Sequence, residues 1–180
     1  VCGTVLQGAS TGTNSIIADS SSRNIRLRFS GDSQWLIFSA QVQGTNQLYL
    51  RDCLNSTNIL VSRSGSTSAP AAGDSDSPAI SPDGRFLAYR SFATDIVAGD
   101  TNGSPDIFLF DRATASTVLL SYRNDGSVAG NSWSGSPCFS SDGQTIAFSS
   151  WASNLDRLDF NESPDLFAYT ISSSGSSVYL

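Results

Sequence analysis

Histidine, lysine and methionine are absent from this sequence, and glutamate occurs once, at Glu162. Each absence removes chemistry. Without an imidazole, no serine in the chain has the base that a Ser-His-Asp arrangement needs. The G-x-S-x-G pattern at residues 8–12, GASTG, with Ser10 at its centre, therefore reads as a small-residue loop. Imidazole zinc sites, Schiff-base lysines and Ser-Lys dyads fall for the same reason. Long hydrophobic runs are also missing: none approaches the ~18 residues of a membrane span, and the first residues lack the charged start and apolar stretch of a signal peptide. Because the chain starts at Val1 and holds no methionine, we read it as a processed or excised piece.

Basic charge is scarce. Ten arginines face sixteen acidic residues, for a net charge of -6 and an isoelectric point near 4.3. That balance argues against nucleic acid or an anionic membrane as partner. The three cysteines, Cys2, Cys53 and Cys138, are far apart and form no C-x-x-C pair, so they read as small apolar packing residues. With 39% hydrophobic residues, the chain carries enough apolar side chains to fold.

What is present is a repeat. PAISPDGRFLAYRS (78–91) lies over PCFSSDGQTIAFSS (137–150) without a gap, at an offset of about 59 residues. The register continues from SPDIFLFD (104–111) to SPDLFAYT (163–170). A third copy, RFSGDSQWLIFSA (28–40) followed by NQLYLRD (46–52), lacks about eight residues between its two halves. Each unit predicts four short strands bounded by Gly, Pro, Asp and Ser. Phe86 and Ala88 fall on one face of their strand, and Leu87 and Tyr89 on the other. A sheet apolar on both faces must be sandwiched between neighbours. The stretches FATDIV (92–97) and WASNLDRL (151–158) have room for a single helical turn at most.

SPDGRFLAY followed by DIFLFD resembles the WD40-like, or PD40, repeats of TolB-type β-propellers. The other two copies fit the same frame, although the first has Gly31-Asp32-Ser33 in place of the Pro-Asp-Gly turn. The resemblance implies an all-β fold: a partial propeller of three four-stranded antiparallel blades, with residues 1–8 as the outer strand of a preceding blade and blades at 9–62, 63–121 and 122–180. It also implies a non-enzymatic scaffold binding a protein or ligand. The alternative is the propeller portion of a hydrolase or peptidase whose catalytic domain lies elsewhere.

Three blades leave open faces of roughly 300 Å² each, worth on the order of 5 to 8 kcal/mol if left wet. The expected cover is the rest of a longer propeller, or a second copy in a three-plus-three ring. The Ser-, Thr-, Asn- and Asp-rich composition suits a periplasmic or extracellular setting.

Three sets of residues are candidates for a site. Arg26 and Arg28 replace small residues at the innermost strand and either face a channel or an interface, binding an anion or an acidic partner, or pair with an aspartate of the next blade, or simply lie exposed on the open edge. Asp74 and Asp76 are close enough for two-carboxylate chemistry, though adjacent loop aspartates are more often solvated turn formers. Asp100, Asn102 and Asp106, repeated as Asp159, Asn161 and Asp165, have the oxygen spacing of a calcium loop. The glycine comes too early for an EF-hand, and Asp111 at the twelfth place lies beyond a strand. Asx turns at Asp100 and Asn102 also account for these residues, which leaves calcium an optional addition.

Overall fold

Short extended segments between turn formers build fourteen strands in the computed structural model, which describes residues 4–7, 14–18, 26–159, 161, 163–171 and 177–179. Among these there is no helix, and none of the described segments could cross a membrane as a helix. The loop stretches 92–97 and 151–158 form turns and bends, because neither contains a helical hydrophobic period to bury.

Strands β3 (Leu27–Phe29), β4 (Trp35–Val42), β5 (Thr45–Asp52) and β6 (Thr57–Leu60) form the first antiparallel sheet, in that order. The second runs β7 (Ser75–Ile80), β8 (Phe86–Ser91), β9 (Asp106–Asp111), β10 (Ser116–Leu119). The third runs β11 (Ser134–Phe139), β12 (Thr145–Ser150), β13 (Asp165–Thr170), β14 (Ser177–Tyr179). Earlier in the chain, β1 (Thr4–Gln7) pairs antiparallel with β2 (Asn14–Ala18) as a two-stranded ribbon. The repeat alone does not reveal β2, since no other copy supplies a counterpart. Residues 8–12, with Ser10, and Cys2 lie outside the described residues.

The sheets stack as the two-faced pattern requires. Leu87 and Tyr89 of β8 and Phe108 and Phe110 of β9 pack with Ile37, Leu48 and Leu50 of the first sheet. On the opposite face, Ala88, Ile107 and Leu109 pack with Ile146, Phe148, Phe167 and Tyr169 of the third. The far face of the third sheet differs: Leu166 is 75% exposed, whereas Ile107, one repeat earlier, is fully buried. One aromatic pair recurs between the second and third strands of every blade. Phe38 stacks on Tyr49, Tyr89 on Phe108 and Phe148 on Phe167, each with ring centroids 5.7 Å apart.

Of the three residues on the second strand in these pairs, only Tyr89 carries a hydroxyl, which is fully buried and has Thr117 near it without a well-formed hydrogen bond. An orphaned buried hydroxyl costs about 1 to 3 kcal/mol. Tyr89→Phe restores the side chain found at Phe38 and Phe148, and is expected to raise unfolding stability by about 1 kcal/mol in urea titration.

The turn between the first two strands of each blade is held by a serine and an aspartate. Ser81 Oγ accepts from Phe86 N at 2.9 Å and donates to Asp83 Oδ1 at 2.5 Å, and Asp83 Oδ1 accepts from Arg85 N at 3.0 Å. Ser140 and Asp142 repeat the same three bonds, as do Ser30 and Asp32. Hydrogen bonds from Ser30 and Ser140 hold the Asp32 and Asp142 carboxyls below the usual range. The turn needs positive φ at its fourth residue, supplied by Gly84 (67°), Gly143 (71°) and, without glycine, Ser33 (59°). So the Pro-Asp-Gly motif is a turn device, and its absence from the first copy leaves the turn intact.

Candidate functional site

The innermost strands of the three blades, β3, β7 and β11, wall a cavity of about 580 Å³. Ser77 and Ser136 sit in it at positive φ (50° and 55°), within β-bulges that interrupt the pairing between Asp76 and Ala79 and between Gly135 and Cys138. Each is followed by a proline, Pro78 or Pro137, which cannot donate to a ladder, so a bulge is a tolerable place for it. Arg26 takes the place of those serines in the first blade.

Both candidate arginines, Arg26 and Arg28, line this cavity. Arg28 is exposed and donates only to the neighbouring Leu27 O, at 3.1 Å, and among the described residues neither arginine forms an ion pair. Other arginines are committed: Arg85 to Asp111 at 2.9 Å, Arg90 to Asp76 at 2.7 Å, and Arg112 to Gly84 O at 3.0 Å while lying over the Trp35 ring. The cavity wall thus carries two arginines without an ion pair among the described residues, in a chain of net charge -6. Cys138 lines it too and is exposed, while Cys53 is half-buried, so neither is a buried packing residue as expected. The innermost strand faces the cavity, so a small side chain there stays open to solvent.

Asp74 and Asp76 are bonded to different partners. Asp76 accepts both bonds of the Arg90 fork, and Asp74 accepts Asn46 N of the first blade at 2.6 Å.

The aspartate-rich loop between β8 and β9 is a second cluster. Asp106 is fully buried: its Oδ1 accepts from Ser121 Oγ at 2.5 Å and its Oδ2 from Asn102 Nδ2 at 2.8 Å. The Asn102 amide also donates to Gly130 O at 2.6 Å, on the chain leading into the third blade, and its Oδ1 accepts from Ser104 N in an Asx turn. In the first blade one residue performs both tasks. Gln47 Oε1 accepts from Ser62 Oγ at 2.6 Å while its Nε2 donates to Ala71 O, one repeat before Gly130, at 2.9 Å. This tie between blades is a role that the sequence pattern did not expose. Its only signal was Gln47 standing in register with Asp106.

Asp100 departs from the expected Asx turn. It is 4% exposed and neither carboxylate oxygen has a partner. Burial pushes its carboxyl up to about 6. Burial also lifts Asp106 to about 7, against the hydrogen bonds from Ser121 and Asn102 and with help from the charge of Asp100. In the third blade, Asn161 Nδ2 donates to Asp165 Oδ1 at 3.2 Å, and Asp159 Oδ1 is buried without a partner. Among the described residues no three carboxylates or thiols converge. Asp111 sits at the far end of β9, bonded to Arg85, and takes no part in the loop.

No family model and no curated protein matches this chain. Solved structures do. TolB from Acinetobacter baumannii is similar over 98% of the chain with a TM-score of 0.58 and 20% identity, and a TolB described as putative, from Agrobacterium tumefaciens, over 98% with 0.56 and 18%. The tricorn protease is similar over 92%, with a TM-score of 0.58 and 17% identity. The chain spans 37%, 55% and 15% of those three proteins. At these identities the likeness concerns the fold, and it agrees with the sheet order and the stacked cores: the chain forms three four-stranded blades of a β-propeller.

Proposed function

We propose that the chain is part of a non-enzymatic propeller scaffold that binds an acidic protein or ligand at the cavity walled by its innermost strands. The carrying observation is the pair Arg26 and Arg28, without ion-pair partners among the described residues and lining the same concavity. Ion pairs between exposed groups contribute about 0.2 to 1 kcal/mol each, so two guanidinium groups without ion pairs among the described residues together favour an acidic segment, most of all at low salt. Lack of histidine and lysine supports the non-enzymatic reading, and the composition supports a periplasmic or extracellular setting. The exposed Leu166 face of the third blade supports association with further blades, whether of the same protein or of a second copy.

The test is fluorescence anisotropy with a labelled oligoglutamate peptide at low salt. Replacing both arginines by alanine is expected to weaken binding at least tenfold, or about 1.4 kcal/mol. Equal binding by the variant, or none by the parent chain, would sink the proposal. A second reading, the propeller portion of a peptidase, is favoured by the likeness to the tricorn protease and to a prolyl endopeptidase with a TM-score of 0.55. A hydrolase domain encoded in the same reading frame would establish it.

A further inference from the structure

The tie between blades leaves Asp100 unexplained. Gln47 makes that tie in the first blade with a single neutral amide. The second blade divides the same two bonds between Asp106 and Asn102, then adds a carboxylate that the tie does not use. A buried carboxylate with no hydrogen bond and no ion pair is costly, because nothing replaces the water it gave up. Here it is placed where its charge bears on a second buried carboxylate. Neither carboxyl is bonded to a cationic side chain among the described residues, so the cost of ionising them is relieved by a proton or by a cation from outside the chain. The arrangement occurs twice. Asp159 repeats the unpartnered oxygen above Asn161 and Asp165, whereas the first blade lacks both the long loop and the acidic pair.

We propose that the loop between β8 and β9 binds a calcium ion through the bare, buried carboxylate of Asp100, with the buried carboxylate of Asp106 at the end of the same loop as a second oxygen donor. Each Asp106 oxygen accepts one hydrogen bond from the chain and keeps a lone pair free for a cation. Asn102 positions it, being fixed by Ser104 N and Gly130 O. The donors are all oxygen, with neither imidazole nor thiolate, which selects a hard cation over zinc or copper. Calcium takes about six to eight oxygens in flexible geometry, so loop carbonyls and water can complete a set that two carboxylates begin. Magnesium demands a stricter octahedron and dehydrates reluctantly. Because the loop is bonded through Asn102 to Gly130, an ion there would also fasten the second blade to the third.

The experiment uses the whole chain, stripped with chelator and then titrated with calcium chloride. Calorimetry should show binding, and the melting temperature should rise by about 5 °C or more when calcium reaches about a hundred times its dissociation constant. Asp100→Asn should bind one ion fewer per chain. Without metal it should be at least as stable as the parent, since it loses an unpaired buried charge. Absence of binding heat up to about 10 mM calcium overturns the proposal, as does equal calcium binding by Asp100→Asn. Should the variant not fold, titration of the parent chain alone decides: no heat and no thermal shift overturn it.

Discussion

Phe108→Ala is expected to lower unfolding stability by about 4 kcal/mol and the melting temperature by roughly 8 to 16 °C. Phe108 is fully buried, stacks on Tyr89 and belongs to the core shared by the first and second blades. Truncation removes the transfer energy of the ring and opens a void between two sheets, whose backbones are held by their own ladders and cannot close it. Phe86, half-buried at the start of β8, should cost well under half as much when truncated. Urea unfolding followed by both fluorescence and circular dichroism measures the difference. Equal losses at the two positions would mean that the inter-blade core is not where stability resides.

Ser121→Ala is expected to cost about 3 kcal/mol in chelator, although it deletes a single oxygen atom. That hydroxyl donates to Asp106 Oδ1 and accepts from Ile107 N at 3.0 Å, so its removal orphans a buried carboxylate oxygen and a buried amide together. Ser62→Ala makes the corresponding deletion in the first blade, where the hydroxyl serves Gln47 Oε1 and Leu48 N, and should cost about 2 kcal/mol because its side-chain partner is neutral. The gap between them should depend on pH. Burial raises the folded Asp106 carboxyl to about 7, above its unfolded value. Its contribution to stability is therefore complete below the unfolded pKa, near 4, and is lost as pH rises through the folded one. Ser121→Ala should be milder at about pH 5 than at about pH 8, while Ser62→Ala should be indifferent. A pH-independent gap would show that Asp106 does not titrate in this range.

The blades were legible because each was written more than once. An isolated TIAF is ambiguous between strand and buried helix, but set in register with FLAY and preceded by the same turn it is not. The two-faced packing followed from Ala88 and Tyr89 being apolar neighbours on a strand. Three features were hidden for physical reasons. The partnership of β1 with β2 has no second copy to reveal it. Gln47 and Asn102 act on carbonyl oxygens of the following blade, and spacing along one strand does not register so distant a contact. Asp100 looked like one more turn former, and only its enclosure distinguishes it from Asp125, which Ser127 and Arg123 hold down to about 2 on the surface. The sequence could place Arg26 and Arg28 on the innermost strand, yet their freedom from ion pairs among the described residues is a matter of what surrounds them.

The tryptophans divide the molecule into optical zones. Trp35 lies at the seam of the first two blades beneath Arg112, whereas Trp133 and Trp151 sit together in the third, with ring centroids 5.9 Å apart and planes inclined by 33°. Two indoles so close couple their transitions, and the resulting circular dichroism couplet belongs to the third blade alone. Separation of one blade from the others can thus be watched in unlabelled protein: loss of the couplet reports the third blade, and a change in Trp35 emission reports the first seam.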